Sequence, residues 1–270
     1  MKTIGENVSL ADSAHASLMD RMYRHQRHIY DITRKYYLLG RDRTISGLDV
    51  PKSGTLLEIG CGTGRLLIPL LEDGLVVDGV DYSAEMLALC KRKAAIAGVQ
   101  PTLYRQPMQQ LDLPRKYSTI FIPSNTFILL TDRADAMEAL RRFYAHLESG
   151  GQLLLTLNVP KKYIDNPSDD WHFIALKTRE DGANVVLTEH VSIDYWEQLK
   201  TTTYKYEVFR DGELVEEHRD MMKVRWFYRN EFELMLEKAG FGEIEIDDGY
   251  TPGFRQDKSF MIVSARKPRG

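Results

Sequence analysis

The stretch Leu57-Glu58-Ile59-Gly60-Cys61-Gly62-Thr63-Gly64 decides the fold. Thr55 to Ile59 is a short apolar run that ends in glycine, the pattern of a strand buried on both faces of a parallel sheet. The glycines at 60, 62 and 64 remove the Cβ atoms that would hold a ligand away from the backbone. A helix is expected from Leu66 to Leu71, closed by Gly74, and Val76 to Asp81 reads as a second strand ending on a carboxylate. Strand, turn, helix and strand are complete within about thirty residues. A nucleotide-binding fold places an acidic residue at this distance, where one carboxylate accepts both hydroxyls of a ribose. Two other nucleotide motifs fit less well. The dinucleotide fingerprint counted from Gly60 needs a glycine where Arg65 stands, and a P-loop needs Lys followed by Ser or Thr where the chain reads Arg65-Leu66.

Outward from this unit the alternation continues. A helix from Ala84 to Ala97 stops at Gly98, strands are expected at Thr102 to Arg105 and Thr119 to Pro123, Asp132 caps a further helix, and Gly150-Gly151 turns the chain into Gln152 to Leu157. Such βα alternation implies a parallel sheet covered on both faces. From Lys161 to Arg229 the pattern changes to alternating β stretches at Val185 to Ile193, Thr201 to Phe209 and Leu214 to Phe227, with Asp211-Gly212 as a hairpin turn. Asn230 and Glu233 then read as the capping pair of a helix ended by Gly240, and Ile244 to Ile246 and Phe260 to Ala265 as closing strands. The chain divides into residues 1–50, basic amphipathic helices acting as a lid; 51–160, the sheet core; 161–229, an inserted antiparallel subdomain; and 230–270, which completes the core.

The chain has 270 residues and a formal net charge of −3, so it lacks the positive field of a protein that binds nucleic acid non-specifically. Cys61 and Cys90 are too few for a disulfide framework, which points to a reducing cytoplasm. Met1 to Asp12 has no apolar signal core, and no run approaches the ~20 apolar residues of a spanning helix. No His, Cys and Asp cluster has metal-ligand spacing, so no metal is expected.

Joined with Val80-Asp81-Tyr82-Ser83-Ala84-Glu85-Met86-Leu87, the glycine stretch resembles the class I methyltransferase family dependent on S-adenosylmethionine (SAM), over Thr55 to Leu157 and again over Tyr228 to Lys267. The resemblance implies an α/β, Rossmann-like seven-stranded sheet with an N-terminal helical lid and an inserted antiparallel β subdomain, SAM as cofactor and S-adenosylhomocysteine as product. It implies that Gly60, Gly62 and Gly64, with Glu58 and Cys61 beside them, line the methionyl and ribose portions, that Asp81 holds the ribose, and that Tyr82 and Met86 pack the adenine. Where the family often reads Gly-Asp-Met, this chain reads Gln106-Pro107-Met108, so adenine recognition passes to Gln106 and the Met108 backbone. Ile122, Pro123 and Ser124 border the methyl donor. Cys61 reads as a small buried filler rather than a nucleophile.

The segment from Arg21 to Asp42 resembles the N-terminus of methyltransferases that build betaine-lipid headgroups. Tyr37 and Arg41, with Tyr30 behind them, are its candidates for the SAM carboxylate, and the same basic helix suits peripheral contact with anionic lipid. Family members with such an insertion use it as a roof over the acceptor. Asn125, Phe127, His172, Trp226, Tyr228 and Arg255 are the candidate substrate residues. The activity implied is transfer of methyl to a small-molecule acceptor, foremost an amine, by in-line displacement, in which catalysis comes from positioning the reacting atoms about 3 to 3.5 Å apart. An O-methyltransferase or a lipid-headgroup enzyme is the alternative within this reading. An NAD-linked oxidoreductase and a non-catalytic SAM-binding module are the alternatives outside it. DNA amino-methylating enzymes carry Asn/Asp-Pro-Pro-Tyr where this chain has Pro123-Ser124-Asn125-Thr126, a second argument against nucleic acid. A monomer or a homodimer is expected.

Overall fold

The computed structural model describes residues 54–179, 181–247 and 259–270. The lid expected over residues 1–50, with Tyr30, Tyr37 and Arg41, lies outside these residues, as does Arg255.

The core is assembled from β1 (Thr55–Ile59), α1 (Leu67–Glu72), β2 (Val76–Asp81), α2 (Ala84–Ala97), β3 (Thr102–Arg105), β4 (Tyr117–Ile122), α3 (Arg133–His146) and β5 (Leu147–Asn158). Then come α4 (Lys161–Asp165), the insertion strands β6 (His172–Thr178), β7 (Asn184–Asp194), β8 (Leu199–Arg210) and β9 (Glu213–Arg225), and finally α5 (Arg229–Ala239), β10 (Gly242–Asp247) and β11 (Phe260–Arg266). Seven strands form one sheet in the order β10-β11-β5-β4-β1-β2-β3. The first five strands pair in parallel, while β11 runs antiparallel between β5 and β10. Strand order therefore reverses between β1 and β4, and the ligand crevice of such a sheet lies beyond the carboxyl ends of those strands. That is where the glycine turn after β1 and the Pro123-Ser124-Asn125 turn after β4 both emerge.

Local chemistry sets the ends of the helices. Ser83 accepts a hydrogen bond from Met86 N at 3.2 Å to begin α2, and Gly98 in the left-handed region ends it. Asp132 accepts from Ala134 N and Asp135 N to begin α3. Helix α5 starts earlier than expected. Tyr228 is its extended N-cap and the Glu231 carboxylate accepts from Tyr228 N at 3.3 Å, so the capping acid is Glu231 rather than Glu233.

The insertion has four strands where three were expected, in the order β6-β7-β8-β9. The first, His172–Thr178, lacks clean alternation and is bulged between Phe173 and Ala175, which hides its period in the sequence. Asp211 and Gly212 do make the β8–β9 turn, both at positive φ. The sheet is clamped to the core by Arg225, 4% exposed, whose Nε donates to Thr131 O at 2.7 Å and whose Nη1 donates to Glu197 O at 2.6 Å. Trp226 and Phe227 follow directly and are buried in the main core with Phe127 and Phe232. Among the described residues no helix is long and apolar enough to cross a membrane.

Candidate functional site

The glycine turn is pinned to the neighbouring strand before any ligand is considered. Gly60 N and Cys61 N both donate to Val80 O, at 2.7 and 3.0 Å. Asp81, at the end of β2, closes the turn with its side chain: Oδ2 accepts from Gly62 N at 2.8 Å and Oδ1 from Ser83 N at 2.9 Å. A carboxylate has about four lone-pair sites on its two oxygens, so a group that orders a turn can also accept from hydroxyls.

The three glycines have different reasons. All have positive φ, at +74, +54 and +79°. A Cβ on Gly60 would stand 2.5 Å from Thr126 Cγ2, and one on Gly64 would stand 2.6 Å from Cys90 Sγ, so both positions are closed by the protein's own packing. At Gly62 no atom of the described residues lies within 4 Å of such a Cβ. Gly62 is thus the point at which a ligand can approach the main chain.

Glu58 lies near the end of β1, 2% exposed, with Oε2 buried and without a hydrogen-bond partner among the described residues. Burial, opposed by the nearby Arg65 guanidinium and reinforced by Asp81, holds its carboxyl well above the usual carboxylate range. Cys61 is buried, and desolvation pushes its thiol far above the ordinary value, which suits the filler role rather than a nucleophile. Burial also raises Cys90, to about 11.

Further round the crevice, Arg105 Nε donates to Tyr82 O at 3.2 Å and its guanidinium stands 5.9 Å over the Tyr82 ring. Met86 is buried in the first turn of α2. Gln106 is largely committed to the protein: its Oε1 accepts from Asp112 N at 2.8 Å and its Nε2 donates to Asp112 O at 3.0 Å. Met108 is half-buried against the main core.

Beyond β4 the backbone is strained. Ser124 and Asn125 have φ of 58 and 60°, a region costly for residues other than glycine and concentrated at functional sites. Asn125 N donates to Thr156 Oγ1 at 3.0 Å, and Arg65 Nη2 donates to Ser124 Oγ at 3.1 Å, tying the glycine turn to this second turn. Among the described residues Asn125 Oδ1 is buried without a hydrogen-bond partner, and so is the indole nitrogen of Trp226. Sequence reasoning missed Arg65 and Thr156, whose roles depend on contacts across the sheet.

The other candidate substrate residues separate. Phe127 is fully buried among Phe143, Phe227 and Phe232, with ring centroids 6.4, 5.5 and 5.4 Å away, and is a core residue. Tyr228 is half exposed and meets Trp226 edge-on at 6.5 Å. His172 opens β6 at the edge of the inserted sheet, opposite Glu189. Among the described residues no group of three His, Cys, Asp or Glu side chains is arranged to hold a metal.

Residues 56–151 match a family described as a methyltransferase domain. A dTDP-3-amino-3,6-dideoxy-alpha-D-glucopyranose N,N-dimethyltransferase of Streptomyces fradiae is 26% identical over 70% of this chain and 71% of its own. A putative methyltransferase of Geobacillus sp. (strain WCH70) is 25% identical over 77% of this chain and 83% of its own. In three dimensions, an S-adenosylmethionine-dependent methyltransferase from Clostridium acetobutylicum ATCC 824 superposes with a TM-score of 0.73 at 19% identity, over 91% of this chain and 99% of that one.

Proposed function

We propose, from the premise that the chain is a class I methyltransferase using S-adenosylmethionine, that it methylates the amino group of a small polar molecule, with aminosugars as the leading acceptor class. The observation that carries this reading is the Gly62–Asp81 cradle across the strand-order reversal from the left-handed turn at Ser124 and Asn125, where Asn125 Oδ1 is buried and unpaired among the described residues. The similarity to an aminosugar N,N-dimethyltransferase supports the acceptor class.

The residues fit the cofactor. Gly62 leaves room at the main chain among the described residues, Asp81 is a carboxylate at the position for ribose hydroxyls, and Glu58 Oε2 is buried with no donor among the described residues. We assign Gly60, Gly62 and Gly64 to the methionyl and ribose portions, Asp81 to the ribose, Tyr82 and Met86 to the adenine, and Pro123 and Ser124 to the border of the methyl donor. Tyr30, Tyr37 and Arg41 remain candidates for the carboxylate end.

When bound, SAM supplies an electrophilic methyl group on a sulfonium. The protein's part is positional. Asn125 Oδ1 is an acceptor for an amine N–H, and holding that hydrogen fixes where the nitrogen lone pair points. A crevice shielded from water disfavours the ammonium form of the acceptor, which assists loss of the proton that must leave before transfer. The domain division, a lid at 1–50 and a roof at 161–229 enclosing a core of 51–160 and 230–270, belongs to the same proposal.

Incubation of the full chain with SAM and a panel of aminosugars, simple amines and hydroxyl acceptors, read by mass spectrometry, tests this. Methylated amines with stoichiometric S-adenosylhomocysteine are expected. Methylation confined to hydroxyl groups would replace the reading.

A further inference from the structure

The inserted sheet has two unlike faces. Alternate residues of a strand share a face, and Leu187 and Val191 on β7 and Tyr206 and Val208 on β8 are buried together on one of them. On the opposite face the register sets Phe173 of β6, Lys205 of β8 and Arg219 of β9 in one row, joined through Thr188 of β7. The next row along the strands holds Leu176, Glu207 and Glu217, joined through Val186. Met221 lies one row beyond the cations, and Leu214 one row beyond the carboxylates.

This second face is apolar and electrically balanced. Phe173, Leu176, Met221 and Leu214 are 65, 60, 53 and 49% exposed. Trp171, 41% exposed, lies across the same face, with its ring 5.7 Å from that of His190 and the Lys205 and Arg219 cations 5.2 and 5.8 Å over it. The charges cancel along the strands, because Lys205 pairs with Glu207 at 3.1 Å and Arg219 with Glu217 at 2.8 Å. Large apolar side chains gathered on one exposed face mark a contact surface rather than a solvated one.

The order of the rows identifies the occupant. A two-fold axis lying in the plane of the face, between the cationic and the carboxylate row, turns each row onto the other. Lys205 then faces Glu207 of the partner subunit, Arg219 faces Glu217 of the partner subunit, and Phe173 faces Leu176 of the partner subunit. The outer rows match as well, Met221 meeting Leu214 of the partner subunit. We propose that the chain forms a two-fold dimer by stacking this face of the inserted sheet on the same face of a second copy. Such an isologous contact requires a self-complementary surface, and here charge and apolar contact are complementary under one operation. Sheets stacked face to face stay within about 30° of each other and about 10 Å apart, which keeps the two central rows in register with their counterparts. Four strands about 4.8 Å apart and four rows about 6.7 Å apart give roughly 500 Å² per copy before Trp171 is added, so two copies reach the ~1,000 Å² expected of a specific interface.

The test is sedimentation velocity of the full chain at micromolar concentration, with circular dichroism melts to show that each variant folds. The wild type is expected at twice the chain mass of 31.1 kDa. Phe173→Asp, at an exposed position, should raise the dimer dissociation constant at least about tenfold. Glu217→Arg alone sets Arg219 against an arginine of the partner subunit, and Arg219→Glu alone sets two carboxylates against each other, so each should be monomeric. An equimolar mixture of these two variants restores opposite charges at both contacts and should dimerise. A monomeric wild type overturns the proposal, and so does a dimer indifferent to all three substitutions, since another surface, such as a sheet edge, would then hold it. Monomeric single variants that fail to dimerise on mixing would overturn the two-fold matching of the rows.

Discussion

Gly60 and Thr126 touch so closely that a single added methyl would not fit between them: a Cβ on Gly60 would lie 2.5 Å from Thr126 Cγ2 and 2.8 Å from its Oγ1. The contact joins the turn after β1 to the turn after β4, the two edges of the crevice. Gly60→Ala therefore carries two penalties, a left-handed backbone cost of about 1–2 kcal/mol and a clash. Thr126→Ala in the same chain removes the methyl and hydroxyl that clash but leaves the backbone cost. Urea denaturation of the two single variants and the double variant should show partial rescue; strictly additive losses would contradict the contact.

Glu58 links stability to pH. Burial holds its carboxyl well above the usual carboxylate range in the folded chain, with Arg65 and the Leu67 N–H pulling it down and Asp81 pushing it up. The folded protein therefore keeps a proton that the unfolded chain releases near pH ~4.3. This contribution is full below that pH and is lost as the pH rises through the raised folded value. The ligand-free protein should lose stability over that window, and Glu58→Gln, neutral throughout, should flatten the slope. Identical pH profiles for the two proteins would refute the assignment.

Asp78 is 2% exposed and is held by Arg115 through two hydrogen bonds, at 2.9 and 2.6 Å, and by the Tyr117 hydroxyl at 2.8 Å. Removing the cation from a buried pair costs about 3–5 kcal/mol, and because the Arg115 side chain is 40% exposed the low end applies. Arg115→Met should lower the unfolding free energy accordingly while leaving S-adenosylhomocysteine affinity unchanged, since the triad bonds to none of the assigned cofactor residues. A stability loss below about 1 kcal/mol would place the pair among ordinary surface bridges.

Phe127 separates packing from recognition. Its ring fills a cluster with Phe143, Phe227 and Phe232, so Phe127→Ala should cost about 3–5 kcal/mol. The milder Phe127→Leu should retain the acceptor KM once an acceptor is known. A large rise in KM without loss of stability would return Phe127 to the acceptor site.

What could be read in the sequence was the chemistry that is local along the chain. The β1 turn, Asp81 and the Asp132 cap all rest on neighbours within a few residues or on one strand pairing, and the structure has them where the pattern puts them. The residues that escaped are those whose partners arrive from elsewhere. Phe127 follows the strained turn after β4 and looks exposed to a ligand until α3, α5 and the segment between β9 and α5 bring Phe143, Phe232 and Phe227 around it. Gln106 looks free to read a base until Asp112, six residues on, takes both ends of its amide. Arg225 is one more charge on a strand until its guanidinium is seen joining Thr131 to Glu197. The bulge in β6 breaks the period by which the other strands of the inserted sheet are recognised.

The most direct test of the account is calorimetric titration of the full chain with S-adenosylhomocysteine, and with NADH as control, in wild type and Asp81→Ala. Hydrogen bonds to a charged group are worth about 1.5–3 kcal/mol each, so loss of the carboxylate should weaken S-adenosylhomocysteine by at least about tenfold, with NADH inert in both. Failure of the wild type to bind S-adenosylhomocysteine, equal binding by the variant, or a preference for NADH would contradict the assignment of this crevice.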